Sequence, residues 1–169
     1  CGLPTTTKDS QHPAGYPCAN RALVLSDFVP TKTCRATELL QQEAAIISAK
    51  TTFPDFSLTG VTHSKMYGRT SNPWDPQRTC GGSSGGAAVA VATGLGSFSL
   101  GGDGGGSIRI PAGFCGVVGF KPSFGAIPRE PCFPSWQSIV SYGPMTRSVA
   151  DARLTYSILN PDAAPYRDG

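Results

Sequence analysis

Two adjacent serines, Ser83 and Ser84, lie in a run from Gly81 to Gly106 in which glycine is by far the commonest residue, and Ser107 follows directly. Glycine at this density means that backbone N–H groups are presented to something, or that chain passes close to chain. Phosphate binding is the first chemistry to test. GxxxxGK[ST] does not occur and no G-x-G-x-x-G aligns with the run, which sets nucleotide loops aside. Acyl transfer is the second. Gly82-Ser83-Ser84-Gly85-Gly86 fits G-x-S-x-G with Ser84 as nucleophile. That chemistry needs a histidine base, and only His12 and His63 exist, each in a loop-like stretch and each read as a surface or locally bonded side chain. The third chemistry uses lysine as the base. Lys8 ends an expected strand, Ser83 starts a helix and Ser107 sits on the glycine-rich loop. One at a time they read as a solvated strand-end charge, a helix cap and a turn residue.

Together they form a pattern. GGSSGG (81–86) followed by GDGGGSIRIPAGFCGVVGFKPSFG (102–125) resembles the defining segment of the amidase signature family. The intervals from Ser83 forward to Ser107 and back to the lysine of GLPTTTKD fit that family as well. The resemblance continues through FSLTGVTHSKMYGRTSNPWDP (56–76) and YGPMTRSVADA (142–152). It implies a Ser-Ser-Lys triad: Ser107 as nucleophile, Ser83 as bridging serine beside a cis peptide bond, and Lys8 as general base. It further implies an oxyanion hole of backbone N–H groups from Gly104, Gly105 and Gly106 onward, where only unhindered backbone can aim several donors at one oxygen. Ser84, Asp103 and Arg109 match supporting positions.

The chain departs from the family pattern at Gly102 and Gly104, where Thr is common, at Tyr16-Pro17-Cys18-Ala19-Asn20, and at Cys80 in place of Pro. It is also far shorter than a whole family domain. The expectation is therefore that residues 1–169 are the central part of one amidase signature domain, with N- and C-terminal portions missing and substrate preference unreadable. The expected reaction is hydrolysis of a carboxamide C–N bond through an acyl-enzyme on Ser107. Alternatives are an aminotransfer subunit of the same family and a non-catalytic, amidase-like binding module. The expected partner is a small-molecule amide, with no metal, no other cofactor and no nucleic acid.

The resemblance implies an α/β fold, a mixed sheet with helices on both faces. Residue patterns place a strand over 1–8, a loop over 9–32, a helix over 33–44 and a strand over 45–49. An irregular stretch follows to Thr79. Ser84 to Thr93 reads as a small-residue helix capped by serine and stopped by Gly94. Ser97 to Leu100 reads as a strand entering a loop at 101–107, and Val117 to Phe120 as a second, buried strand. The last expected helix runs from Ser148 to Leu159, with Ser148-x-x-Asp151 as a capping box and an apolar stripe of Ala150, Leu154 and Ile158.

Composition removes several classes. Gly 21 and Pro 15 make up about a fifth of the chain, against roughly 12% in average usage. A 15% charged fraction and a net charge of +3 are too little for disorder and do not point to nucleic acid. The uncharged stretch 80–102 is dominated by small residues, so it reads as a close-packed buried segment rather than a membrane span. Six cysteines without CxxC, in a chain with no signal-like segment, read as buried reduced thiols. That combination points to the cytoplasm.

Overall fold

The computed structural model describes residues 2–133, 136 and 138–162. Its centre is a mixed five-stranded sheet. Strand β1 (Pro4–Lys8) pairs in parallel with β2 (Ile46–Thr51) on one side and β5 (Phe98–Asp103) on the other. Strand β7 (Ser141–Thr146) runs antiparallel to both β5 and β6 (Val118–Gly119), giving the order β2-β1-β5-β7-β6. A two-stranded ribbon, β3 (His63–Ser64) and β4 (Gly68–Arg69), lies in the otherwise irregular stretch.

Helices cover both faces, as expected. Phe98, Leu100 and Tyr142 point to one side and pack with Cys34, Ala36 and Leu40 of the α1 region (Arg35–Gln42) and Leu159 of α4 (Val149–Leu159). Met145 points to the other side and packs with Ala87, Ala88 and Val91 of α2 (Gly85–Ala92) and Ala112 of α3 (Arg109–Cys115). The segment 80–102 is thus a short helix and a strand, both buried. No described helix is long and apolar enough to cross a membrane.

Several expectations need correction. Helix α3 went unread because Pro111 and Gly113 depress helix propensity. Pro111 is harmless in the first turn, where N–H groups lack partners anyway, and Gly116 ends the helix at φ +69. Strand β7 was hidden by Gly143 and Pro144. Glycine is required there, because a Cβ on residue 143 would collide with the carbonyl oxygen of Phe120. Strand β5 extends through Gly101, Gly102 and Asp103, so the glycine-rich loop starts later than its composition suggests. Strand β6 is half-buried, not buried, since it is a sheet edge with a single neighbour.

Helix α4 buries Ala152, Thr155 and Leu159, while Leu154 is 60% exposed. Of the stripe that periodicity finds, Ile158 packs against the core, while Ala150 and Leu154 are exposed. Thr155 can be buried because its hydroxyl donates to the Asp151 carbonyl at 2.7 Å. The cap itself was legible: Ser148 Oγ accepts from Asp151 N–H at 3.1 Å. Ser148→Ala is expected to cost about 1 kcal/mol in a urea unfolding curve. A variant that unfolds at the wild-type urea midpoint would mean the cap contributes nothing here.

Candidate active site

Lys8 stands at the end of β1, the strand flanked by parallel neighbours on both sides, and is only 2% exposed. Alternation along the strand gives Thr6 and Lys8 the same face, and Thr6 Oγ1 donates to Ser99 Oγ at 2.8 Å. The Lys8 amine meets Ser83 Oγ at 2.6 Å. Burial lowers the Lys8 pKa from 10.5 to about 7, with the Asp103 carboxylate acting weakly in the opposite direction. The Phe53 ring lies 5.0 Å from the amine.

Ser83 is fully buried and follows a cis Gly82–Ser83 peptide bond just before α2. Small residues let this helix approach the sheet: a Cβ on Gly86 would run into the backbone of Thr52. Ser84 was expected to cap α2 with its side chain and does not. Its hydroxyl turns to β5, donating to the Gly102 carbonyl at 3.1 Å and accepting from Gly102 N–H at 3.2 Å. The Ser84 N–H donates to the Ser107 carbonyl at 2.9 Å, tying the paired serines to the third one.

Ser107 is half-buried and shares the wall of a cavity of about 430 Å³ with Lys8, Ser83, Gly104 and Gly105. The expected donors of an oxyanion hole are not equivalent. Gly106 N–H is committed to Asp103 Oδ1 at 2.7 Å, whereas Gly104 and Gly105 face the cavity. Asp103 is fully buried and organises this turn. Its carboxylate also accepts from Ile108 N–H at 3.0 Å, Arg109 N–H at 3.3 Å and two Arg109 guanidinium nitrogens at 3.0 Å. Burial alone would raise its pKa. The donors overcome that, Arg109 first, and bring it to about 2.

The histidines fall elsewhere. His12 is buried rather than at the surface, packed edge-on to Phe28 at 5.6 Å, and burial lowers its pKa. His63 is exposed on β3, and neither lines the cavity. Cys18, Cys34, Cys80, Cys115 and Cys132 are free thiols, and burial pushes Cys115 up to about 12. Among the described residues no three His, Cys, Asp or Glu side chains gather as a metal site.

Two residues near the site gave no usable sequence signal. Gln11 is fully buried, accepts from Lys8 N–H at 3.0 Å and donates to the Gly101 carbonyl at 3.0 Å, bracing the lysine against β5. Asn20 reaches the cavity from a loop that reads only as polar and proline-broken.

Comparison with known proteins adds to this geometry. The sequence model of the family described as Amidase matches residues 1–165. A glutamyl-tRNA(Gln) amidotransferase subunit from Nitratidesulfovibrio vulgaris is 42% identical over 158 residues, 94% of this chain and 32% of its own length. An amidase crystal structure superposes with a TM-score of 0.89 at 44% identity, over 98% of this chain and 38% of that one. Native peptide amidase from Stenotrophomonas maltophilia superposes with a TM-score of 0.89 at 32% identity, over 98% and 37%. The chain thus spans about a third of the length of the curated relatives it matches. It belongs to the amidase signature family, the one its paired serines and glycine-rich segment resemble.

Proposed function

We propose that the protein hydrolyses a carboxamide C–N bond through an acyl-enzyme on Ser107, with Ser83 and Lys8 as its proton relay. The observation that carries this reading is the buried 2.6 Å contact between the Lys8 amine and Ser83 Oγ. A base must be neutral to accept a proton, and a lysine held near pKa 7 is substantially neutral at physiological pH. As Ser107 Oγ attacks the carbonyl carbon, its proton passes to Ser83 Oγ, whose own proton passes to Lys8. The N–H groups of Gly104 and Gly105 are the donors proposed for the developing oxyanion. Collapse of the tetrahedral intermediate breaks the C–N bond, and the relay run backwards protonates the departing amine. Water then releases the carboxylic acid by the same relay.

A second reading has its own support. Relatives at about 40% identity are named as amidotransferase subunits. In that reading ammonia released at this site is passed to a carrier-bound acyl group with help from partner subunits. Turnover of simple amides by the isolated protein favours hydrolysis. Strict dependence on a partner and an acceptor favours transfer.

A fluorophosphonate probe tests the nucleophile, because it reacts with serines activated by a base and an oxyanion hole. It is expected to label Ser107, and Ser107→Ala is expected to abolish labelling. Labelling that persists in Ser107→Ala but vanishes in Ser84→Ala would establish the alternative elbow.

A further inference from the structure

Asn20 has a burial and a backbone that its loop does not require. It is only 5% exposed, yet it lines the same cavity as Lys8 and Ser107. The Ala22 N–H donates to the Ala19 carbonyl at 2.9 Å, closing a four-residue turn. Its two central residues, Asn20 and Arg21, have φ of +48 and +56. Both therefore sit in the left-handed region, the pattern of a type I′ turn, which asparagine tolerates and arginine does not favour. The arginine is held there by outside contacts. Its guanidinium lies 4.0 Å from the Tyr67 ring centre and 3.5 Å from Asp9 Oδ2. Asp9 is itself paired with Lys50. The cavity-lining segment bonded to this turn also has positive-φ backbone. Phe56 and Ser57 have φ of +51 and +62, and Phe56 N–H donates to the Asn20 carbonyl at 3.3 Å. Strained backbone of this kind persists only where the surroundings fix it, and it clusters at ligand sites.

Turn chemistry explains why an asparagine is tolerated at position 20, but not what its carboxamide does. Among the described residues that carboxamide makes no hydrogen bond, so its outlet is the cavity. Its polar atoms are not among those sealed from solvent without a partner, so the little surface Asn20 exposes includes the carboxamide, free to meet a ligand in the cavity. The rest of the cavity fits a ligand that would satisfy it. Phe56, Leu58, Trp136 and Val140 form an apolar wall, and among the described residues no carboxylate, guanidinium or imidazole lines the cavity.

We infer that Asn20 is a substrate-recognition residue, whose carboxamide pairs with an uncharged amide group on the substrate beside the bond that is cleaved. The apolar part of that substrate lies against Phe56, Leu58 and Trp136. The inference rests on the amidase reading for the identity of the reacting group, but not for the pairing itself. An amide offers one donor and one acceptor, matching both halves of the Asn20 side chain. A cationic group at the same place would find no carboxylate on the described wall, which disfavours it.

The test compares 3-phenylpropanamide with N-acetylphenylalaninamide, which carries one additional acetamido group. Their kcat/KM ratio is measured in the wild type and in Asn20→Gly and Asn20→Asp. Glycine is the informative variant, because it accepts positive φ freely and so keeps the turn while removing the carboxamide. The preference for N-acetylphenylalaninamide is expected to fall about tenfold in Asn20→Gly and in Asn20→Asp. Phenylalaninamide, with an ammonium in place of the acetamido group, is expected to be the poorest of the three amides. An Asn20→Gly protein with an unaltered ratio would assign Asn20 to the turn alone and overturn the inference, as would a preference for phenylalaninamide. Binding of the same amides to Ser107→Ala, by titration calorimetry, separates the two levels of the argument. Binding that keeps its Asn20 dependence without any turnover by the wild type would reject the hydrolytic reading and keep the recognition residue. No measurable binding of N-acetylphenylalaninamide would reject the recognition residue.

Discussion

Lys8→Met is expected to lower kcat by on the order of 10⁴ and to make the fold more stable at neutral pH. The loss follows from the relay: groups that act as one unit fail together, so the variant should be nearly as impaired as Ser107→Ala and the double variant no worse. The gain follows from burial. Lys8 titrates near 7 in the folded protein instead of 10.5. Below pH 7 both folded and unfolded chains bind the proton, and the fold bears the full cost of a buried cation. Between about 7 and 10.5 the unfolded chain binds more protons, so stability climbs with pH. Above 10.5 the handicap is gone. Its full size is about 5 kcal/mol, less about 1 kcal/mol for the Ser83 hydrogen bond lost in the methionine variant. Urea unfolding at about pH 6 and about pH 9 should show the gap between variant and wild type narrowing by about 3 kcal/mol, most of its size. The wild-type rate should rise with pH through about 7, as the relay base loses its proton. A flat pH–rate profile would remove Lys8 from the relay. An active Lys8→Met beside an inactive His12→Ala, His63→Ala double variant would place the base on histidine.

The parts of this site that were legible in the sequence were those fixed by residue type and interval. Lys8, Ser83 and Ser107 could be named because a lysine at a strand end and two serines in glycine-rich chain match a known pattern. The structure brings all three to one cavity wall. The parallel pairing of β1 with both β2 and β5 suits the same resemblance, and its threonines mark a strand on their own. What stayed hidden depends on three-dimensional approach. Gly143 and Pro144 look like a turn, yet they lie inside a strand with neighbours on both sides. The Ser84 hydroxyl looks like a helix cap, yet β5 passes close enough to take it. Three glycines look like equal donors until the Asp103 carboxylate takes the N–H of one of them. Asn20 carries no local signal, because its position depends on Tyr67 and Asp9 holding the next residue in place.

Asp103→Ala is expected to be the most destabilising single change around the site. A buried carboxylate with this many donors cannot be removed quietly. The substitution leaves the Gly106 and Ile108 N–H groups without acceptors in a region where neither Asp103 nor Ile108 is exposed. Unmet donors of this kind together with the lost charge-assisted bonds come to about 4 kcal/mol. Arg109→Ala should be far milder, about 1 kcal/mol, because its side chain is 55% exposed and water replaces much of the pairing. The two variants therefore tell the acceptor role of Asp103 apart from the ion pair. Acid provides an independent check. The Asp103 pKa falls from 3.8 to about 2 on folding. Its contribution is thus fully present above about pH 4 and is lost as pH falls through about 2, an amount of about 2 kcal/mol. That stretch of the acid-unfolding curve should disappear in Asp103→Ala. Catalysis should suffer as well, since the carboxylate clamps residues on both sides of Ser107. Misplacing the nucleophile is expected to cost on the order of 10² in kcat. Asp103→Asn separates alignment from charge. The negative charge of Asp103 raises the Lys8 pKa against the pull of burial. Neutralising it should move the rate profile of the residual activity to a lower apparent pKa. A profile that stays near 7, or moves upward, would show that the charge of Asp103 is not felt by the base and that its role is confined to holding the turn.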